Sequence, residues 1–223
     1  MKSRRRRKPD TRNMKKIAPS KAETSLLEPF SGLTLAQISV PGTKEEFASA
    51  TAEIKAAGVA GFDTESKPTF AVGEVSEGPH IVQFALQNKA YIFQLHRADC
   101  HPFLIELLQS AEVLKVGFGL QSDSAQIHAK LGVDLGALLD LNRVFNKDGF
   151  HNSMGVRAAV GLVLNQKFPK SKKITTSNWA QENLTSQQLL YAANDAFAAL
   201  KVLEALDRPL AELPITGRKI FVI

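Results

Sequence analysis

Cysteine is nearly missing from this 223-residue chain, with Cys100 the single one. That excludes an internal disulfide and any zinc site built on thiolates, and it fits a reducing, intracellular, cytoplasmic setting. No apolar run is long enough to span a bilayer, and the first residues lack the apolar stretch of a secretory leader, so no membrane partner is expected. The five histidines, His80, His96, His101, His128 and His151, show no metal-ligand spacing. Gly117 and Gly119 suggest a phosphate loop, but Ser122 stands where a dinucleotide fingerprint needs its third glycine. No nucleotide cofactor is expected on that account. Tryptophan is also scarce, Trp179 being alone, and no internal repeat is visible.

Positive charge is in excess, and it is unevenly placed. The formal charge is +6, yet residues 1–21 hold ten Lys/Arg against Asp10 alone, so residues 22–223 carry −3. Like charge and few apolar side chains predict a disordered basic tail over residues 1–22. Such a tail suits salt-sensitive attraction to nucleic acid phosphates, a nuclear address in a eukaryote, or plain solubility. A hydrophobic content of 44% leaves enough apolar surface for one globular domain over residues 23–223.

Within that domain, Thr43 and Glu46 form a capping box that opens a helix with Phe47 and Ile54 inward, and Gly58 ends it. The apolar run from Val59 to Phe62 predicts a strand that continues into Asp63, Thr64 and Glu65. Residues 81–86 and 90–95, joined by Gln87-Asn88-Lys89, predict a hairpin. A helix then starts between Asp99 and Pro102, a strand runs from Val113 to Phe118, and a helix follows from about Ser122 to Leu131. Residues 137–141 read as a last strand. Asn152 or Ser153 caps a helix through Val156, Val160 and Leu164, and a second capping box at Thr185 and Gln188 opens a long helix to about Leu203. Strands first and alternating strand and helix later predict an α/β fold: a mixed sheet of antiparallel and parallel strands flanked by helices.

Against this plan, four acids stand out. Alternate residues of a strand share a face, so Asp63 and Glu65 project together with Thr64 turned away. Two like charges at the edge of a core are costly unless a cation neutralises them, and oxygen ligands on a rigid strand suit Mg²⁺ or Mn²⁺. Asp123 follows the 113–118 strand at the start of a helix. Asp195 lies in the long last helix, four residues after Tyr191 and so on the same face. The neighbours Ala192, Ala193, Ala196, Ala198 and Ala199 let that helix approach a sheet closely, which would bury Asp195. Asp140 reads as a helix cap.

Three segments, Gly61-Phe62-Asp63-Thr64-Glu65, then Val116-Gly117-Phe118-Gly119 followed by Asp123, and Leu190-Tyr191-Ala192-Ala193-Asn194-Asp195-Ala196, resemble the three motifs of the DEDDy 3′–5′ exonucleases. The resemblance runs from about Val59 to Leu206 and is strongest to the ribonuclease D branch that includes the Werner-syndrome helicase exonuclease domain. It implies a ribonuclease H-like fold in which Asp63, Glu65, Asp123 and Asp195 hold two divalent cations, Mg²⁺ or Mn²⁺, and Tyr191 orients the attacking water. The implied reaction hydrolyses DNA or RNA from a free 3′ end and releases nucleoside 5′-monophosphates. A non-catalytic nucleic-acid-binding module on the same fold is the competing reading, and retention of all five motif residues weighs against it. Trp179, stacking on a base, and Lys172 and Lys173, reaching phosphates, are the candidate substrate contacts, together with Lys170.

Overall fold

The computed structural model describes residues 16–71, 73–150 and 154–217. The expected tail falls outside the described residues as far as residue 15, and so do Asn152 and Ser153, the expected helix caps.

Strand β3 (Val59–Glu65) is central. It pairs antiparallel with β4 (Ile81–Ala85), which pairs antiparallel with β5 (Ala90–Gln94) through the expected hairpin. On its other side β3 runs parallel to β6 (Leu114–Gly117), and β6 runs parallel to β7 (Leu138–Asp140). A two-residue strand, β2 (Ile38–Ser39), lies parallel beyond β5 and completes six strands. This is the mixed sheet that the sequence predicts, with β2 added at the edge. Two further short strands, β1 (Glu28–Pro29) and β8 (Gln166–Lys167), pair by themselves. Strands of two residues carry no readable period, so neither pair was foreseen.

The helices start where their caps stand. Helix α1 (Lys21–Ser25) opens on a Ser20/Glu23 capping box, inside the stretch read as tail. Helix α2 (Lys44–Ala57) has the Thr43/Glu46 box and ends on Gly58 at φ 68°. Pro102 sits in the first turn of α3 (His101–Gln109), and α4 (Leu120–Leu131) begins two residues before the expected Ser122. Asp140 caps α5 (Leu141–Lys147) by accepting from the Asn142 N–H. Helix α6 (Val156–Ala159) follows Gly155 and runs into a π turn over Val160–Leu164. After the single turn of α7 (Lys172–Thr175) comes α8 (Ser186–Leu206), opened by the Thr185/Gln188 box. Among the described residues, no helix is long and apolar enough to cross a membrane.

Pleating divides the core into two faces. Ala60 and Phe62 of β3 pack with Phe47, Ile54, Phe84, Phe93, Leu104 and Leu107 under α2 and α3. The opposite face lies beneath α8, where Ala192, Ala193, Ala196, Ala198 and Ala199 are buried. Gly61 belongs to this second face, and a Cβ there would collide with the Ala196 carbonyl. The helix therefore rests almost on the strand backbone. Lys115 of β6 is also fully buried. Its Nζ donates to the Leu107 and Ser110 carbonyls, at 3.1 and 2.8 Å, closing the end of α3, and burial lowers its pKa to about 7.

Candidate active site

The close approach of α8 to β3 assembles the site. Asp63 and Glu65 emerge from the end of β3 on the face beneath α8, and Asp195 comes down from α8. Carboxylate oxygens of these three residues lie within 4.8 Å of one another. Asp195 is only 5% exposed. Its Oδ1 has no hydrogen-bond partner among the described residues, and its Oδ2 is 3.8 Å from Lys170 Nζ. A cavity of about 230 Å³ opens here, bordered by Asp63, Asp195, Lys170, Phe118 and Asn142.

The fourth acid joins through a hydroxyl. Thr64 does turn away from Asp63 and Glu65, and on that side its Oγ1 donates to Asp123 Oδ1 at 2.5 Å. The Thr64 N–H donates back to Asp63 Oδ1 at 2.9 Å, so one residue ties Asp123 to Asp63. Helix α4, which carries Asp123, is anchored from behind. Gly119 precedes it at φ 69°, and Asp140 accepts the Gly119 and Leu120 N–H groups at 3.0 and 3.1 Å. Asp140 therefore caps two helices, as a cap rather than a fifth acid of the cluster.

Crowding these carboxyls has an electrostatic consequence. Burial raises the Asp63 carboxyl well above the usual range, with Asp123, Asp195 and Glu65 adding repulsion. Glu65 is pushed up to about 8, first by burial and then by Asp195, against the opposing pull of Lys170. Asp123 and Asp195 are raised by burial as well. Thr64 moderates the first, and Lys170 and Tyr191 the second. Without a cation the cluster holds protons near neutral pH. Three carboxylates, one with a buried oxygen that lacks a partner among the described residues, form a hard donor set that fits a divalent ion such as Mg²⁺ or Mn²⁺.

Tyr191 is 9% exposed. It shares a hydrogen bond of 3.0 Å with Thr175 Oγ1, and Lys170 Nζ lies 5.9 Å from its ring centre. Burial, followed by the charge of Asp195, raises the phenol pKa, so Tyr191 stays protonated. Trp179 does not fit the expected role as a stacking platform. It is 1% exposed, with its Nε1 donating to the Thr175 carbonyl and its ring against Tyr191, so no face is open to a base. Lys172 and Lys173 are exposed on α7 and border neither the acid cavity nor its larger neighbour, because that turn directs Ile174 and Thr175 inward. Lys170, two residues earlier, is the lysine that reaches the acids.

Sequence reasoning missed two partners. Thr64 was read only as the residue between two acids, although a β-branched hydroxyl on the opposite face is a natural link to the next strand's helix. Gln83 stands directly across from Asp63 in the β3–β4 register, fully buried, with both amide atoms lacking partners among the described residues. A lone polar residue in the run Ile81-Val82-Gln83-Phe84-Ala85 was the available signal.

Residues 38–211 match the family model described as 3′–5′ exonuclease. The mouse bifunctional 3′–5′ exonuclease/ATP-dependent helicase WRN is 31% identical over 150 residues, which cover 66% of this chain and 11% of that protein. The Aedes aegypti Nibbler EXO domain superposes with a TM-score of 0.64 at 23% identity, covering 78% of this chain and 88% of that one. Trypanosoma brucei RNase D in complex with RNA U12 gives a TM-score of 0.68 at 19% identity, over 79% of this chain and 64% of that one. These structural likenesses are likenesses of fold, the ribonuclease H-like one. The chain spans 11%, 51% and 27% of the length of three curated relatives that it matches.

Proposed function

The chain belongs to the 3′–5′ exonuclease family, and from that premise we propose that it hydrolyses phosphodiester bonds at the free 3′ end of DNA or RNA, releasing nucleoside 5′-monophosphates. The observation that carries this reading is the convergence of Asp63, Glu65 and Asp195 within 4.8 Å, with Asp195 buried on α8. Asp63, Glu65, Asp123 and Asp195 would hold two divalent cations, Mg²⁺ or Mn²⁺. When bound, these supply a water of lowered pKa and balance the charge that builds on the transferring phosphoryl group.

The chain's own residues do the rest. Tyr191 keeps its proton across the neutral range and donates a hydrogen bond, which suits positioning rather than proton removal. Glu65, on the open end of β3, accepts a hydrogen bond from a water placed in line with the departing 3′ oxygen. Lys170 tempers the negative potential at Asp195 and Glu65, and its exposed position lets it meet a phosphate. Thr64 and Asp140 hold the Asp123 helix in register with β3. A nucleic acid partner is also supported by the RNA-bound structure of the ribonuclease D neighbour.

The test uses matched 5′-labelled DNA and RNA strands with Mg²⁺, Mn²⁺ or EDTA, comparing the native protein with Asp195→Asn. A ladder shortening from the 3′ end is expected with metal and is lost in EDTA and in the variant. A ladder that survives both would overturn the reading.

A further inference from the structure

Next to the acid cluster lies a larger cavity of about 670 Å³. The two hollows share Lys170, and Tyr191 forms part of the larger one's wall. That wall is assembled from distant parts of the chain: α1, the Phe30–Leu33 segment, α6, β8 and the first turns of α8. It is held in place by designated contacts. The Phe30 N–H donates to the Lys167 carbonyl at 2.9 Å, and Asn194 clamps Leu33, accepting from its N–H at 2.6 Å and donating to its carbonyl at 3.1 Å.

The charged side chains in this wall are of one sign. Among the described residues, Lys21, Arg157, Lys167 and Lys170 border the cavity and no Asp or Glu does, although residues 22–223 as a whole carry −3. Four cations around one hollow repel one another, and an anion between them would relieve that. Arg157 Nε is buried with no hydrogen-bond partner among the described residues, so a guanidinium donor is left unused. The floor is aromatic, with the Phe30 and Phe168 rings 5.5 Å apart and inclined at 56°. The volume falls within the range of about 300–1,000 Å³ usual for small-ligand sites. Cationic walls over an aromatic floor match a group that is part flat ring and part phosphate.

We propose that this cavity binds a nucleotide of the strand being shortened, upstream of the bond that is cut. Its base lies on Phe30, which is backed by the buried Phe168 ring, and its phosphates meet Lys21, Lys167 and Arg157. Lys170 stands at the junction, facing the last phosphate on one side and Asp195 on the other. This rests on the exonuclease reading of the acid cluster, because a strand whose 3′ end sits at Asp63 and Asp195 is what would pass Lys170 into the larger hollow.

The experiment compares the native protein with the double variant Lys21→Ala/Lys167→Ala. Both lysines are exposed and neither borders the acid cavity. Affinities for single-stranded oligonucleotides of two to eight residues, and for thymidine 5′-monophosphate, are measured in EDTA across a salt series. Turnover of the p-nitrophenyl ester of thymidine 5′-monophosphate is measured with Mn²⁺. The ester offers one nucleotide to the acid cluster and nothing upstream. The variant should keep ester turnover and lose roughly tenfold in affinity for the longer strands, with little loss for the dinucleotide. The slope of log affinity against log salt should flatten by about 0.7 for each phosphate contact removed. Unchanged length dependence and slope would overturn the proposal. So would a loss confined to the free mononucleotide, which would make the cavity a site for released product. Failure of the native protein to hydrolyse the ester, with the length effect intact, would instead refute the exonuclease reading and leave a nucleotide-binding cavity standing.

Discussion

Replacing Glu65 by Gln should stabilise the metal-free protein at neutral pH and leave it nearly unchanged in acid. In the fold the Glu65 pKa is raised from 4.5 to about 8 by burial and by Asp195. A carboxyl raised in this way favours the folded state fully below its unfolded pKa and loses that contribution as pH rises through the folded pKa. The cost of Glu65 relative to a neutral amide is therefore nil below about pH 4.5 and complete near pH 8. At pH 7.5 the span from 4.5 is about three units, which at about 1.4 kcal/mol each gives about 4 kcal/mol as a ceiling. Glu65 sits at the open end of β3, where solvent screening reduces this to about 2 kcal/mol. For a domain of this size that corresponds to a rise in Tm of about 4–8 °C. Thermal or urea unfolding in EDTA at pH 5, 6 and 7.5 measures it. The stability gap should open steadily with pH, and Mg²⁺ should narrow it by stabilising the native protein more than the variant. A variant no more stable than native at pH 7.5, or equally stabilised at pH 5 and 7.5, would refute the account of these acids as mutually repelling ligands.

Gly61→Ala places a methyl group against the Ala196 carbonyl. A loss of about 1–3 kcal/mol is expected, read as a lower Tm together with weaker metal-induced stabilisation as α8 lifts from β3; an unchanged Tm would contradict the close strand–helix approach. Tyr191→Phe keeps the ring against Trp179 and removes only the hydroxyl. Hydrolysis of a labelled strand should lose up to about 10²-fold in kcat with little change in KM, and an unaltered kcat would remove Tyr191 from the positioning role.

What could be read in the sequence, and what could not, divides along a physical line. Asp63, Glu65 and Asp195 were visible because each breaks the pattern around it, two in an apolar strand and one on a helix lined with alanine. A charge in a regular segment has a known direction, so its burial follows from the period alone. The same logic placed the Thr43 and Thr185 caps and the hairpin, whose signals are local. It failed for Lys115, which interrupts Leu114-Lys115-Val116 just as an acid would. Its partners are the carbonyls that end α3, and only the fold brings them within reach. It failed differently for Lys170 and Trp179. Both lie between regular segments, where no period gives a direction, and four lysines, Lys167, Lys170, Lys172 and Lys173, compete for one role in that stretch. There the fold alone decides: the single turn of α7 sends Ile174 and Thr175 inward, Thr175 engages both Tyr191 and Trp179, and the chain just before that turn carries Lys170 to Asp195. The α7 turn thus fixes which lysine faces the acids and which aromatic is closed to substrate, so substrate contacts are set by a segment whose own sequence shows only that it is basic and polar.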